Sequence, residues 1–220
     1  KKGVERAIDC GCKKIKLNVS ASKQHNLANI NKTPGETVAG FAENVDLALK
    51  NGLEVSGSIS MPFGSPWEGL IPIDDVEEIV EAYLGVGIKE ISLSDAAGVA
   101  TPKQVYDMCC SMQKKYPDVK WWLHFHNTRG MAMANILAAM EAGITNFDTA
   151  LGGTGGCPFV PGAAGNISSE DVVHMMDEMG IATGIDILKL IELSRNLLVL
   201  LGHAGDSYIQ KAGRSKDLFK

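Results

Sequence analysis

Two histidines, His124 and His126, sit one residue apart in Trp121-Trp122-Leu123-His124-Phe125-His126-Asn127. On a strand, residues two apart face the same side. Both imidazoles therefore point one way and Phe125 the other. Two imidazoles side by side are costly to bury unless they share a metal or a carboxylate. The bland alternative is a pair of structural histidines bonded to backbone. Further on, Gly152-Gly153-Thr154-Gly155-Gly156-Cys157-Pro158 places four glycines in the five residues before a single cysteine. That freedom exceeds what a turn needs, and it fits a loop that cradles phosphate or closes as a lid. A thiol on such a loop is positioned as an acid–base group or a nucleophile; the plain alternative is a small buried cysteine. Asn166, just before a helix start near Ser168, offers a neutral oxygen. Two imidazoles with oxygen donors and no thiolate shell suit a hard or borderline divalent ion, Mg²⁺ or Mn²⁺, acting as a Lewis acid. A protein carboxylate is still missing from that set, and Asp95 and Asp148 are the candidates within the chain.

These residues need elements to hold them. β-rich runs begin near residues 14, 53, 89, 119 and 144. Helical patterns fill the gaps, a spacing that suits parallel strands joined by helical crossovers. Thr33-Pro34-Gly35-Glu36 and Thr101-Pro102-Lys103-Gln104 are capping boxes with proline at the first helical position. The first predicts a helix to about Lys50, closed by Asn51-Gly52. Asp74 is expected to cap a helix to about Leu84, and Ser168 and Asp186 to open the last two. Polar residues recur at the C-terminal ends of the runs: Asn18 and Ser20, Ser58 and Ser60, Ser94 and Asp95, the histidines, and Asp148. A barrel active site is built from such positions. A doubly wound sheet is the rival, but Asn18-Val19-Ser20-Ala21-Ser22 is no glycine-rich phosphate turn. The expected fold is an α/β TIM (β/α)8 barrel, of which about five βα units are visible. Residues 1–201 form the C-terminal part of the barrel, and 202–220 a loosely packed tail. Three units, roughly 100 residues, are expected upstream.

Composition removes several classes. The net charge is -5 without long single-sign runs, so neither nucleic acid nor a membrane surface is an expected partner. No apolar stretch reaches the roughly 18 residues of a membrane span. Five cysteines at uneven spacing make a poor disulfide framework. Cys10, Cys12, Cys109 and Cys110 are expected to be small apolar residues in a reducing, cytoplasm-like compartment.

The stretches His124 to Gly130 (HFHNTRG), Ala134-Asn135 and Gly152 to Asn166 (GGTGGCPFVPGAAGN) resemble the 3-hydroxy-3-methylglutaryl-CoA lyase family. So do Ser60 to Gly69 (SMPFGSPWEG) and Ser92 to Gly98 (SLSDAAG). The likeness runs from about Gly3 to Leu201. The H-x-H-[DN] and S-D-x-x-G pieces are shared across the wider metallolyase superfamily, whereas the cysteine-bearing glycine loop is specific to the lyase branch. The resemblance implies a divalent metal held by His124, His126 and Asn166. It implies catalytic roles for Cys157, for His124 in acid–base work, and for Asp95. The implied reaction is retro-Claisen cleavage of the acyl-CoA to acetyl-CoA and acetoacetate, as in leucine degradation and ketone-body metabolism. An acyl-CoA is the expected partner, and a homodimer stays open. The family's Arg-Asp pair, at the end of its first strand, has no counterpart here. The segment by itself is therefore expected to be inactive.

Two positions depart from the common pattern. Asn127 replaces an Asp and Ala96 replaces a Thr, which leaves room for citramalyl-CoA or a longer analogue. Two other functions stay open. One is a Claisen-type synthase of the isopropylmalate or homocitrate class; the other is an inactive barrel piece.

Overall fold

The computed structural model describes residues 1–160, 162–202 and 204–219. Pro161 of the glycine-loop motif, and His203 and Lys220 of the expected tail, lie outside them. In chain order the elements are α1 (Lys2–Asp9), β1 (Lys14–Ser20), α2 (Lys23–Ile30), α3 (Pro34–Val38), α4 (Phe41–Lys50), β2 (Glu54–Ser60), α5 (Ile73–Gly85), β3 (Glu90–Asp95), α6 (Pro102–Lys115), β4 (Lys120–Phe125), α7 (Ala132–Glu141), β5 (Phe147–Asp148), α8 (Ser169–Glu178), α9 (Ile187–Leu201) and α10 (Tyr208–Ala212). The five strands form one parallel sheet in the order β1-β2-β3-β4-β5. Each new strand adds beside the last. A doubly wound sheet reverses direction at a switch point, so this order follows a barrel wall.

Alternation along the strands separates two faces. Val19, Ile59, Ile91, Leu93, Trp121, Leu123 and Phe125 face the helices and join Val76, Val80, Tyr83, Met112 and Ile136 in the main core. The other face is polar. In register, Asn18 lies beside Ser58 and Ser58 beside Ser92; Ser20, Ser60, Ser94, His124 and Asp148 form the next row up. The site residues thus occupy the inner face at the strands' C-terminal ends.

Local sequence explains most boundaries. Both predicted capping boxes form, with Thr33 and Thr101 accepting from the backbone of Glu36 and Gln104. Ser168 and Asp186 cap α8 and α9. Four expectations change. The helix from Pro34 breaks at Ala39-Gly40 into two pieces. Pro72, not Asp74, is the N-cap of α5; Asp74 and Asp75 sit in its first turn, where carboxylates meet the positive end of the helix dipole. The last strand shortens to Phe147–Asp148, because from Ala150 the backbone bonds to Ile167 and Ser169 instead. The expected loose tail is anchored. Ser207 is fully buried and its Oγ donates to Asp171 Oδ1 (2.9 Å), as do the amides of Tyr208 and Ile209 to the same carboxylate.

Candidate active site

His124 and His126 share the inner face, with ring centroids 5.2 Å apart in an edge-on arrangement. Phe125, between them, packs in the core. Beyond the end of β4 the chain is joined by the returning limb of the glycine loop. The Asn127 amide donates to Gly165 O (2.8 Å) and the Ile167 amide to Phe125 O (3.1 Å). This short antiparallel bridge sets Asn166 directly opposite His126. Asn166 is oriented by its own amide: Nδ2 donates to Thr154 O at 2.7 Å. Its Oδ1 is left buried with no hydrogen-bond partner, and so is Nδ1 of His126. Unmatched buried polar atoms are rare and ask for an explanation. Among the described residues no three His, Cys, Asp or Glu side chains converge on one point. The unsatisfied pair is one imidazole nitrogen and one amide oxygen, donors that a hard or borderline divalent cation accepts.

Burial holds both imidazoles neutral. His124 is pushed below the usual histidine range by desolvation, opposed by the carboxylate of Asp148 beside it. His126 falls to about 4, through desolvation and then the neighbouring His124. A neutral imidazole is the form that can donate a lone pair or take a proton.

The glycines of the loop serve packing as well as freedom. Gly165 has φ +111°, and a Cβ there would stand 2.7 Å from Gly153 O and 2.8 Å from Gly155 O. Gly155, at φ +90°, would push a Cβ to 3.0 Å from Nδ2 of Asn166. The two limbs of the loop therefore close on one another around Asn166 because neither carries a side chain at those points. Cys157, at the tip, is half-buried and packs with Met61, Ala96, Ala97 and Val160. Met61 holds a left-handed φ of +60° while fully buried, a strained conformation of the kind found at functional sites.

Asp95 is placed differently from the histidines. Its neighbour Ser94, not Asp95, pairs with His124. Its carboxylate accepts from the amides of Val99 (3.0 Å) and Ala100 (2.9 Å) and so shapes the turn after β3. Burial nevertheless pushes this carboxyl up, against those hydrogen bonds. Ala96 lines the apolar patch under Cys157. Asn127 Oδ1 accepts from the amide of Ala132 (3.3 Å) at the start of α7.

Other site residues carried no signal by themselves in the sequence. His25, on α2, places Nε2 3.6 Å from Sγ of Cys157. Glu68 accepts from Ser22 Oγ (2.6 Å) and the Gln24 amide (2.8 Å), and also from Ser65 Oγ, tying the loop after β2 to α2. Ser65 and Glu68 lie within one of the resemblance motifs; His25 lies in none.

A parallel (β/α) wall with its polar residues at the strands' C-terminal ends defines a barrel-type catalytic scaffold. The HMGL-like family profile matches residues 1–197, and the chain belongs to that family. It is 40% identical over 212 residues to the (R)-citramalyl-CoA lyase of Chloroflexus aurantiacus, covering 96% of this chain and 67% of that protein. It is 38% identical over 194 residues to hydroxymethylglutaryl-CoA lyase YngG of Bacillus subtilis, covering 88% and 65%. A solved HMG-CoA lyase from Acinetobacter baumannii, in complex with coenzyme A and 3-methylmalate, superposes with a TM-score of 0.94 at 46% identity, over 100% of this chain and 72% of that one. The chain thus spans about two thirds of the length of the curated relatives it matches. No helix among the described residues is long and apolar enough to cross a membrane.

Proposed function

We propose that the protein is a carbon–carbon lyase cleaving 3-hydroxy-3-methylglutaryl-CoA to acetyl-CoA and acetoacetate by a retro-Claisen reaction. The observation that carries this reading is the closure of the cysteine loop onto the histidine end of β4, through the bridge between His126 and Asn166. Relatives named as CoA-ester lyases support it.

His124, His126 and Asn166 would hold a divalent cation, Mg²⁺ or Mn²⁺. Bound there, the ion supplies Lewis-acid polarisation of substrate oxygens. The remaining work falls to the chain. His124 has a single lone pair when neutral, so it takes the tertiary hydroxyl proton where its ring is free of the ion, which His126 and Asn166 then hold. As that proton leaves, the bond between the acetyl arm and the carbinol carbon breaks. Its electron pair passes to the acetyl-CoA enolate and the carbinol oxygen becomes a ketone. Cys157 gives its proton to the enolate carbon, while the loop around it excludes bulk water. Asp95, occupied with backbone amides, shapes the mouth rather than moving a proton.

A second reading concerns only the acyl group. Ala96 beneath Cys157 and the citramalyl-CoA lyase relative favour citramalyl-CoA as an alternative substrate of the same reaction. Product release from both acyl-CoA thioesters by the intact protein with Mn²⁺ tests the two readings together. Cys157→Ser should lower kcat by about 10²–10⁴, the usual weight of a general acid–base group, and leave Mn²⁺ affinity near wild type. Turnover of the Ser variant at the wild-type rate would remove the lyase reading and favour a synthase.

A further inference from the structure

We propose that His25 is the positioning partner of Cys157, a thiol–imidazole pair in which the ring on α2 readies the loop thiol for proton transfer. This rests on the lyase reading above. The pairing is a contact between distant parts of the chain: Sγ of Cys157 and Nε2 of His25 are 3.6 Å apart across 132 residues of sequence. His25 is 2% exposed, and its Nδ1 is buried without a partner. Among the described residues, the thiol is therefore the ring's one hydrogen-bonding contact.

The ring is held in place from several sides. Its backbone amide donates to Ser22 Oγ (3.0 Å), the cap of α2. Trp67 stacks on it with centroids 6.0 Å apart and planes 29° from parallel. Glu68 is the charged group facing it. That carboxylate is engaged by Ser22, Gln24 and Ser65, so it does not bond to the ring. Desolvation keeps the imidazole neutral against the pull of Glu68.

A neutral ring here favours charge on sulfur: with its proton on Nε2 it donates to the thiolate left once the thiol has given up its proton. The cycle balances. The S–H bond breaks and a C–H bond forms on the enolate carbon, leaving the electron pair on sulfur. His25 Nε2–H then stabilises the thiolate. The proton taken from the substrate hydroxyl at the start of the turnover restores the thiol, so none is gained or lost.

The test follows the alkylation of Cys157 by iodoacetamide at neutral pH in the intact protein, resolved peptide by peptide. The exposed Cys10 and Cys12 serve as internal references. His25→Phe keeps the ring's volume and its stacking on Trp67 but removes both nitrogens. It should slow labelling of Cys157 about five- to tenfold and leave Cys10 and Cys12 unchanged. It should also lower kcat by about 10-fold or more with KM unchanged. His25→Gln, which retains an N–H at similar reach, should recover most of both. Loss of a merely packing residue would expose the thiol and speed its labelling. Labelling of Cys157 in the Phe variant at or above the wild-type rate overturns the pair. Labelling does not depend on substrate. Slowed labelling in His25→Phe, with a wild-type protein that cleaves neither thioester, would leave the pair standing and remove only the lyase reading.

Discussion

Lys16 on β1 donates to Asp148 Oδ2 on β5 at 2.7 Å, although three strands lie between them in the sheet. A flat sheet would hold those strands roughly 19 Å apart at the usual spacing. The contact is possible because the wall curls around its polar face, so that the long Lys16 side chain on one outer strand reaches Asp148 on the other across the inner row. Asp148 also lies beside His124, so the ion pair adjoins the candidate base. Both side chains keep partial exposure, 40% and 34%, and solvent weakens such a pair. A double-mutant cycle with Lys16→Met and Asp148→Asn should give a coupling of about 0.2–1 kcal/mol in chemical denaturation. A coupling well above that range would mean that the pair is shielded from water.

The buried histidines tie stability to pH. His126 is held at about 4 in the folded chain, against about 6.5 for an unperturbed imidazole. Between those values the unfolded chain binds a proton that the folded chain refuses. The contribution is present in full above about pH 6.5 and is lost as pH falls toward 4, with a slope of up to about 1.4 kcal/mol per pH unit. Urea denaturation in the presence of a chelator, from pH 7.5 to 4.5, should show this decline. His126→Gln should flatten it. An unchanged slope in that variant would assign the loss to other groups.

Some of this was legible in the sequence, for reasons that lie in single residues. Thr33, Thr101, Ser168 and Asp186 announced their helices because a side chain that bonds to a local amide acts within four residues. The inward pairing of His124 and His126 followed from strand periodicity. The curl that joins Lys16 to Asp148 could not be read, because it belongs to the whole sheet. His25 was silent for the same reason. Nothing in Lys23 to Ile30 marks it, and its significance comes from a loop more than 120 residues later. Four glycines in five residues predict conformational freedom, yet Gly165 is required by a close approach of backbones, which composition does not reveal. The anchoring of the tail leaves no mark in the sequence, because the buried acids that hold it, Glu170 and Asp171, look there like ordinary residues of a helix's first turn.

Glu170 carries the last prediction. It is fully buried, and both its oxygens accept from the amide of Gly152, at 3.1 and 3.0 Å, where the glycine run begins. Gln210 Nε2, from α10, donates to the same carboxyl at 2.9 Å and also to Ser194 Oγ on α9. One side chain on α8 therefore ties the root of the Cys157 loop to the two C-terminal helices. Glu170→Ala would leave the Gly152 amide and part of Gln210 buried without acceptors. Each such group costs about 1–3 kcal/mol, so a loss of about 2–4 kcal/mol is expected, a fall in Tm on the order of 5–15 °C for a chain of this size. The loop should also loosen at its root. Cys157 labelling by iodoacetamide should then rise, the opposite of the change expected for His25→Phe, while labelling of buried Cys109, whose thiol burial pushes up to about 12, stays slow below the melting range. A Tm within about 2 °C of wild type, a shift equivalent to no more than about 1 kcal/mol, would show that water replaces the carboxylate and that the loop root is held by backbone contacts alone.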